Sequence, residues 1–251
     1  MSAAITYLIV VLIGAGLIRS LRLLTWPATL VATLMALLLL WAGGWSWLTA
    51  PLVFLISSSV WTRWPGASRE RDRTRRASQV IANGLPGMVF AAIAVVLSDP
   101  RFGVAVAASF AAAAADTWAT EWGGSFGGRP LSLRTFRTVP AGQSGAISLV
   151  GTLATVAGAA FVAVLCAATG MILWKYALWV ALAGTAGSLL DSLAGAWVQG
   201  LWRSPNGELL ETPPAGKKSQ LLRGLRWVDN DIVNLIATTS GGLIALWPLG
   251  L

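Results

Sequence analysis

The chain has 251 residues, 56% of them hydrophobic and only 11% charged, with a formal net charge of +8 and a mean hydropathy of +0.70. An ordinary soluble domain carries roughly 25% charged residues, so this composition excludes one and points to an all-α polytopic membrane protein. Histidine is absent and Cys166 is the single cysteine, which excludes Ser-His-Asp hydrolases, His-dependent phosphatases, His-ligated metals, metal-thiolate clusters and internal disulfides.

Apolar stretches of roughly 20 residues match the ~30 Å hydrocarbon core of a bilayer. Eight helices are expected, over about 2–18, 23–42, 45–62, 80–97, 102–122, 144–168, 171–200 and 230–249. The first stretch, MSAAITYLIVVLIGAGLI, has no basic leading region and no clear small-residue cleavage site, and is read as a retained helix. Breaks fall at GGWS (43–46), SDPR (98–101) and ATGM (168–171). The seventh stretch is long for one crossing, so it should tilt or project from the bilayer at its Gln199 end. Residues 1–251 are read as one transmembrane domain, with basic loops at 63–79, 123–143 and 201–229.

Those loops and the turn at 19–22 hold 16 of the 18 lysines and arginines; Arg101 and Lys175 are the others. With eight spans all four basic segments fall on one side. The positive-inside rule makes that side the cytoplasm and puts both termini outside, in the plasma membrane if the cell is prokaryotic. The basic clusters also suit contact with anionic lipid; no nucleic-acid partner is expected.

The acids gather toward the same side. Asp116 and Glu121 end the fifth helix, Asp191 lies late in the seventh, and Asp229 and Asp231 open the eighth. Ionisable side chains within membrane spans are costly and raise a functional hypothesis by default. Gly184, Gly187, Ser188, Asp191, Ala194 and Gly195 share one face of their helix, and Ala105, Ala108, Ala112 and Ala113 lead up to Asp116. Such small faces serve helix packing or make room for a ligand; Gly195 and Ala112, one turn from the two aspartates, would then border a groove for a lipid chain. VDNDIVN (228–234) reads either as a helix N-cap or as a polar patch with Asn230 and Asn234 one turn apart. Gln79 and Asn83 are likewise one turn apart at the start of the fourth helix. GGSFGGRP (123–130) fits a phosphate-wrapping loop or plain turns, and PAGKKSQ (214–220) lacks the first glycine of a P-loop.

Carboxylates beside Arg and Lys at one membrane face suit a magnesium–phosphate site, because Mg²⁺ takes one or two carboxylates plus substrate phosphates. An acceptor that is itself a phosphate is already ionised and needs no histidine base.

RRASQVIANG, ADTWATEWG, VPAGQSGAISLVGT, GSLLDSLAGAWVQ and DNDIVN occur here in the order found in the phytyl-phosphate kinase-like, or transmembrane protein 19-like, integral membrane family. The chain resembles that family from about Arg75 to Leu246, and the first three helices add little to the match. Ala146 stands where a further glycine is expected. The resemblance implies a kinase converting an isoprenoid monophosphate, phytyl or another prenyl, to its diphosphate, with CTP as donor. Placed on the matching positions, Asp116, Glu121, Asp191 and Asp231 are expected as catalytic and magnesium ligands. Gln79, Asn83, Ser144, Asn230 and Asn234 are expected to position substrate and nucleotide, and Arg137 and Lys218 to clamp phosphate. The expected partners are the lipid bilayer, the isoprenoid phosphate and the nucleotide; no oligomeric state is read. The alternative is a small-molecule or lipid transporter with inward-facing acids, and a non-catalytic scaffold is a third reading.

Overall fold

The computed structural model describes residues 3–64, 74–212 and 219–250. Among these, eight α-helices run in chain order: α1 (Ala3–Ser20), α2 (Trp26–Gly43), α3 (Thr49–Thr62), α4 (Ala77–Leu97), α5 (Phe102–Phe126), α6 (Leu149–Ala168), α7 (Ala177–Trp197) and α8 (Asn230–Leu246). Five segments, α2, α4, α5, α6 and the stretch ending in α7, are long and apolar enough to cross a membrane by length and composition. The 14-residue α3 is lengthened by the 3₁₀ turn Trp45–Leu48 that runs into it. Large apolar side chains such as Leu34, Trp41, Val96, Leu149 and Leu178 face outward. The protein is thus an all-α polytopic membrane protein, helices being the form that satisfies most spanning backbone polar groups internally.

The helix starts follow local chemistry. Thr25 caps α2, its Oγ1 accepting from Ala28 N at 3.4 Å, and Pro27 occupies the first turn where no N–H is needed. α4 begins earlier than its apolar pattern suggests, because Gln79 reaches back to accept from Arg76 N at 3.0 Å. α6 begins later than expected, at Leu149, where Ser148 Oγ accepts from Gly151 N at 3.0 Å. The seventh helix is also shorter than expected, since Trp174–Tyr176 form a separate 3₁₀ turn and the chain leaves the helix at Val198.

Pro86 lies inside α4. Proline has no N–H to give the carbonyl four residues earlier, which here is Ala82. Thr238 of α8, fully buried, brings its Oγ1 to 3.2 Å from Ala82 O, while its one hydroxyl hydrogen has the shorter bond to Asn234 O in its own helix, at 2.8 Å. A sequence-local defect in one helix therefore faces a hydroxyl that another helix shares.

The alanine-rich α5 is the axis of the bundle, surrounded by α3, α4, α6, α7 and α8. Its small side chains let neighbouring backbones approach closely. A Cβ on Gly187 of α7 would sit 2.6 Å from Ala237 O and 2.9 Å from the Ala112 Cβ. One on Gly184 would sit 2.7 Å from the Ala111 Cβ. The small faces of α5 and α7 are thus closed around Ala111, Ala112, Gly184 and Gly187, so the expected lipid groove beside Ala112 is filled by protein, whereas Gly195 lines a polar cavity. α2 packs on α4, and α1 packs on α2 at the periphery.

Two small sheets, unforeseen in the sequence, organise the longer connections. β1 (Leu131–Ser132) pairs antiparallel with β2 (Ala146–Ile147). β3 (Leu201–Arg203) is the middle strand between β4 (Leu209–Leu210) and β5 (Gln220–Arg223). Strands this short carry too little periodicity to be read from sequence.

Hydrogen bonds gather the basic connections at one end of the bundle. Arg63 Nη2 and Thr74 Oγ1 donate to Arg22 O at 2.8 and 3.1 Å, tying the α3–α4 connection to the α1–α2 turn. Elsewhere Arg101, at the start of α5, is neutralised by Asp99 at 2.6 Å.

Candidate functional site

A polar cavity of about 200 Å³ opens where α4, α5, α7 and α8 meet the basic connections. Eight of the residues expected from sequence line it: Asp116, Glu121, Asp191, Gln79, Asn83, Ser144, Asn230 and Asn234. Each helix contributes one face. Gln79 and Asn83 are successive turns of α4, joined where Asn83 Nδ2 donates to Gln79 O at 2.8 Å. Asn230 and Asn234 are successive turns of α8.

Two expected residues are elsewhere, and a third is outside the described residues. Asp231 lies in the first turn of α8 but is absent from the cavity wall. One residue turns a helix by ~100°, so the face that presents Asn230 and Asn234 turns Asp231 aside. Asp229 before it is the N-cap, accepting from Ile232 N at 3.1 Å. Arg137 is exposed between β1 and β2, and what it adds to the structure is a backbone bond, its carbonyl accepting from Ser132 N at 2.9 Å. Lys218 lies outside the described residues.

The acids are arranged in a graded way. Asp116 of α5 and Asp191 of α7 place their carboxyl groups within hydrogen-bonding reach of each other. Asp191 Oδ2 is buried with no hydrogen-bond partner. Glu121 is further along α5, where its Oε1 accepts from Thr62 Oγ1 of α3 at 3.0 Å. Among the described residues no three acidic, His or Cys side chains form a metal-holding cluster. The pair, however, fits a hard cation. Two facing carboxylates need a proton or a cation between them, Mg²⁺ commonly uses one or two carboxylates, and one buried oxygen here lacks a donor.

Sequence reasoning missed several lining residues. In the sequence Arg75 reads as one of a basic cluster that suits topology and contact with anionic lipid. Its backbone is pinned to the α1–α2 turn, Arg75 N donating to Leu23 O and Arg75 O accepting from Thr25 N, both at 3.0 Å. This aims the guanidinium into the site, where burial lowers its pKa to about 10 while Glu121 and Asp116 pull the other way. It stays charged at neutral pH. Glu211, in the irregular stretch after β4, was also missed. It accepts from Ser144 N at 3.0 Å and from Ser144 Oγ at 2.5 Å. Arg223 of β5 donates from Nη2 to Ser144 O at 2.9 Å and from Nη1 to Ala196 O. Burial lowers the Arg223 pKa, with Arg134 acting in the same sense and Glu211 against it. The loop around Ser144 is thus strapped down by residues some seventy positions later. Gly145 in that loop has φ +74° and abuts Ala196, so it is the glycine the turn requires. Ala146 beside it pairs with Ser132 in the sheet and needs no such freedom.

An eight-helix membrane bundle with a carboxylate-lined cavity at its basic end is the class these features define. The chain belongs to the family described as integral membrane protein DUF92, whose sequence model matches residues 9–242. It is 30% identical over 246 residues to the uncharacterized membrane protein MJ0933 of Methanocaldococcus jannaschii, covering 95% of this chain and 91% of that one. It is 27% identical over 186 residues to protein VTE6, chloroplastic, of Arabidopsis thaliana, covering 72% of this chain and half (50%) of that protein. It is 26% identical over 219 residues to the uncharacterized membrane protein sll0875 of Synechocystis, covering 83% and 76%. No solved structure matches the chain.

Proposed function

We propose that this protein is a membrane-embedded phosphotransferase that makes an isoprenoid diphosphate from the monophosphate, with a nucleoside triphosphate, CTP, as donor. The observation that carries this reading is the meeting of Asp116, Asp191 and Arg75 in one polar cavity. Similarity to protein VTE6 and the five ordered motifs of the phytyl-phosphate kinase-like family support it.

In this reading a phosphate oxygen of the acceptor attacks the γ-phosphorus of the nucleotide. A P–O bond forms, the bond from the γ-phosphorus to the β,γ-bridging oxygen breaks, and the nucleoside diphosphate leaves. The attacking oxygen is already anionic, so no proton need be removed and a histidine-free chain suffices. Catalysis then rests on positioning and charge neutralisation. Asp116 and Asp191 would hold Mg²⁺, which when bound neutralises phosphate oxygens. Arg75 supplies a fixed cation from the protein itself. Gln79, Asn83, Asn230 and Asn234 offer amide donors and acceptors to nucleotide or phosphate, and the Ser144 loop closes the wall. The basic end would face the cytoplasm, where the nucleotide is, in the plasma membrane if the cell is prokaryotic.

The deciding experiment incubates purified protein with γ-labelled CTP or ATP, Mg²⁺ and a panel of prenyl monophosphates. Labelled prenyl diphosphate is the expected product. Nucleotide-independent uptake of a solute into liposomes, with no diphosphate formed, would overturn the reading in favour of a transporter.

A further inference from the structure

A second cavity, also about 200 Å³, lies between α1, α2, α3 and α4 and reaches Phe110 of α5. Val11, Ile18, Met35, Leu52 and Leu55 typify its apolar wall. Among the described residues that line it, Arg75 is the one with a charge, and Arg75 also lines the polar cavity. Its guanidinium carbon stands 4.7 Å from the Phe54 ring centroid, and it makes no salt bridge among the described residues. A cation stacked on an aromatic ring is partly compensated and keeps its N–H donors for an anion. The chamber is thus greasy along its length and cationic at Arg75, the lining residue it has in common with the site. α1 packs on α2, with no comparable packing on α3 or α4, so its share of the wall is held from one side. The seams along α5 and α7, by contrast, are closed.

Resting on the phosphotransferase reading, we propose that the acceptor's isoprenoid chain occupies this α1–α4 chamber, with its phosphate on Arg75 facing Asp116 and Asp191. An apolar chain fits an apolar wall, and a guanidinium binds phosphate through paired N–H donors. Chain length is then measured against α1. Gly14 lines the chamber, and a Cβ there would meet no atom within 4 Å. Bulk added at Gly14 enters open space, about 6 Å deeper than Ile18 by helical rise.

The test uses full-length protein in nanodiscs and a farnesyl monophosphate bearing a diazirine at the far end of its chain. After irradiation, adducts are expected on α1–α3 residues such as Val11, Met35 and Leu52. Arg75→Ala should cut labelling about tenfold, and Arg75→Lys less, through loss of one charged contact. Gly14→Phe should raise the KM for farnesyl monophosphate while sparing turnover of dimethylallyl monophosphate. Adducts confined to the outer faces of α6 and α7 would overturn the chamber even if phosphoryl transfer is intact. Labelling needs no nucleotide, so chamber adducts in a protein that transfers no phosphate from CTP or ATP would instead sink the kinase reading.

Discussion

Asp116 and Asp191, on different helices, bring their carboxyl groups within hydrogen-bonding reach across the α5–α7 seam. Packing alone gives no reason for this, since the seam around them is built from alanine and glycine. Asp116→Asn and Asp191→Asn should each lower phosphoryl transfer by about 100-fold or more, the scale of losing a preorganised electrostatic group. Thermal stability should hold, because the amide keeps the size of the carboxyl group and can still hydrogen-bond its partner. Chelating Mg²⁺ should abolish turnover in the parent protein. Unfolding of both variants would make the pair structural, and full activity would remove them from the site.

The strap on the Ser144 loop makes a separate prediction. Glu211→Ala removes the acceptor of both Ser144 donors. A loop so released should raise the KM for nucleotide by roughly tenfold, one charge-assisted hydrogen bond's worth, and should be cut faster by protease near Gly142. A loop that stays protease-resistant, with KM unchanged, would show that Arg223 alone suffices.

The Pro86–Thr238 relationship can be tested by a double-mutant cycle. Thr238→Val keeps the shape and removes the hydroxyl shared between Ala82 O and Asn234 O, so a bond to Ala82 should show as a loss of about 1–3 kcal/mol. Pro86→Ala restores an N–H on α4 and should make the second loss much smaller. Equal losses in both backgrounds, measured by unfolding in detergent, would show that the hydroxyl serves Asn234 O of its own helix alone.

Sidedness is checked with cysteines. Lys175 and Asn206 are exposed, at the α6–α7 turn and the β3–β4 turn, and native Cys166 is fully buried, giving a silent background. Lys175→Cys should react with an impermeant maleimide from outside the cell and Asn206→Cys only after lysis. Labelling of both from one side would break the proposed orientation.

The helices were legible because bilayer thickness imprints a length on the apolar runs, and Asp116, Asp191 and Asn234 stood out as polar groups within them. Helix ends were less so. Ser148 and Gln79 moved the starts of α6 and α4 through capping bonds rather than hydropathy. Arg75 looked like one cation among many, because its role depends on two backbone bonds to the α1–α2 turn. Glu211 lies in a segment with no periodicity at all. Asp231 and Asn230 looked equivalent on paper, and the turn of one helix separates them. The face around Gly187 read equally as seam or groove until the neighbouring backbone of α8 filled it.

Thr238, Asn230 and Asn234 all ride on α8. Until it docks, the polar notch at Pro86 is uncovered and one wall of the cavity is missing. A nascent or truncated chain lacking α8 therefore carries a polar gash in α4 instead of a binding site. The membrane's quality-control proteases would meet such a chain as damaged goods.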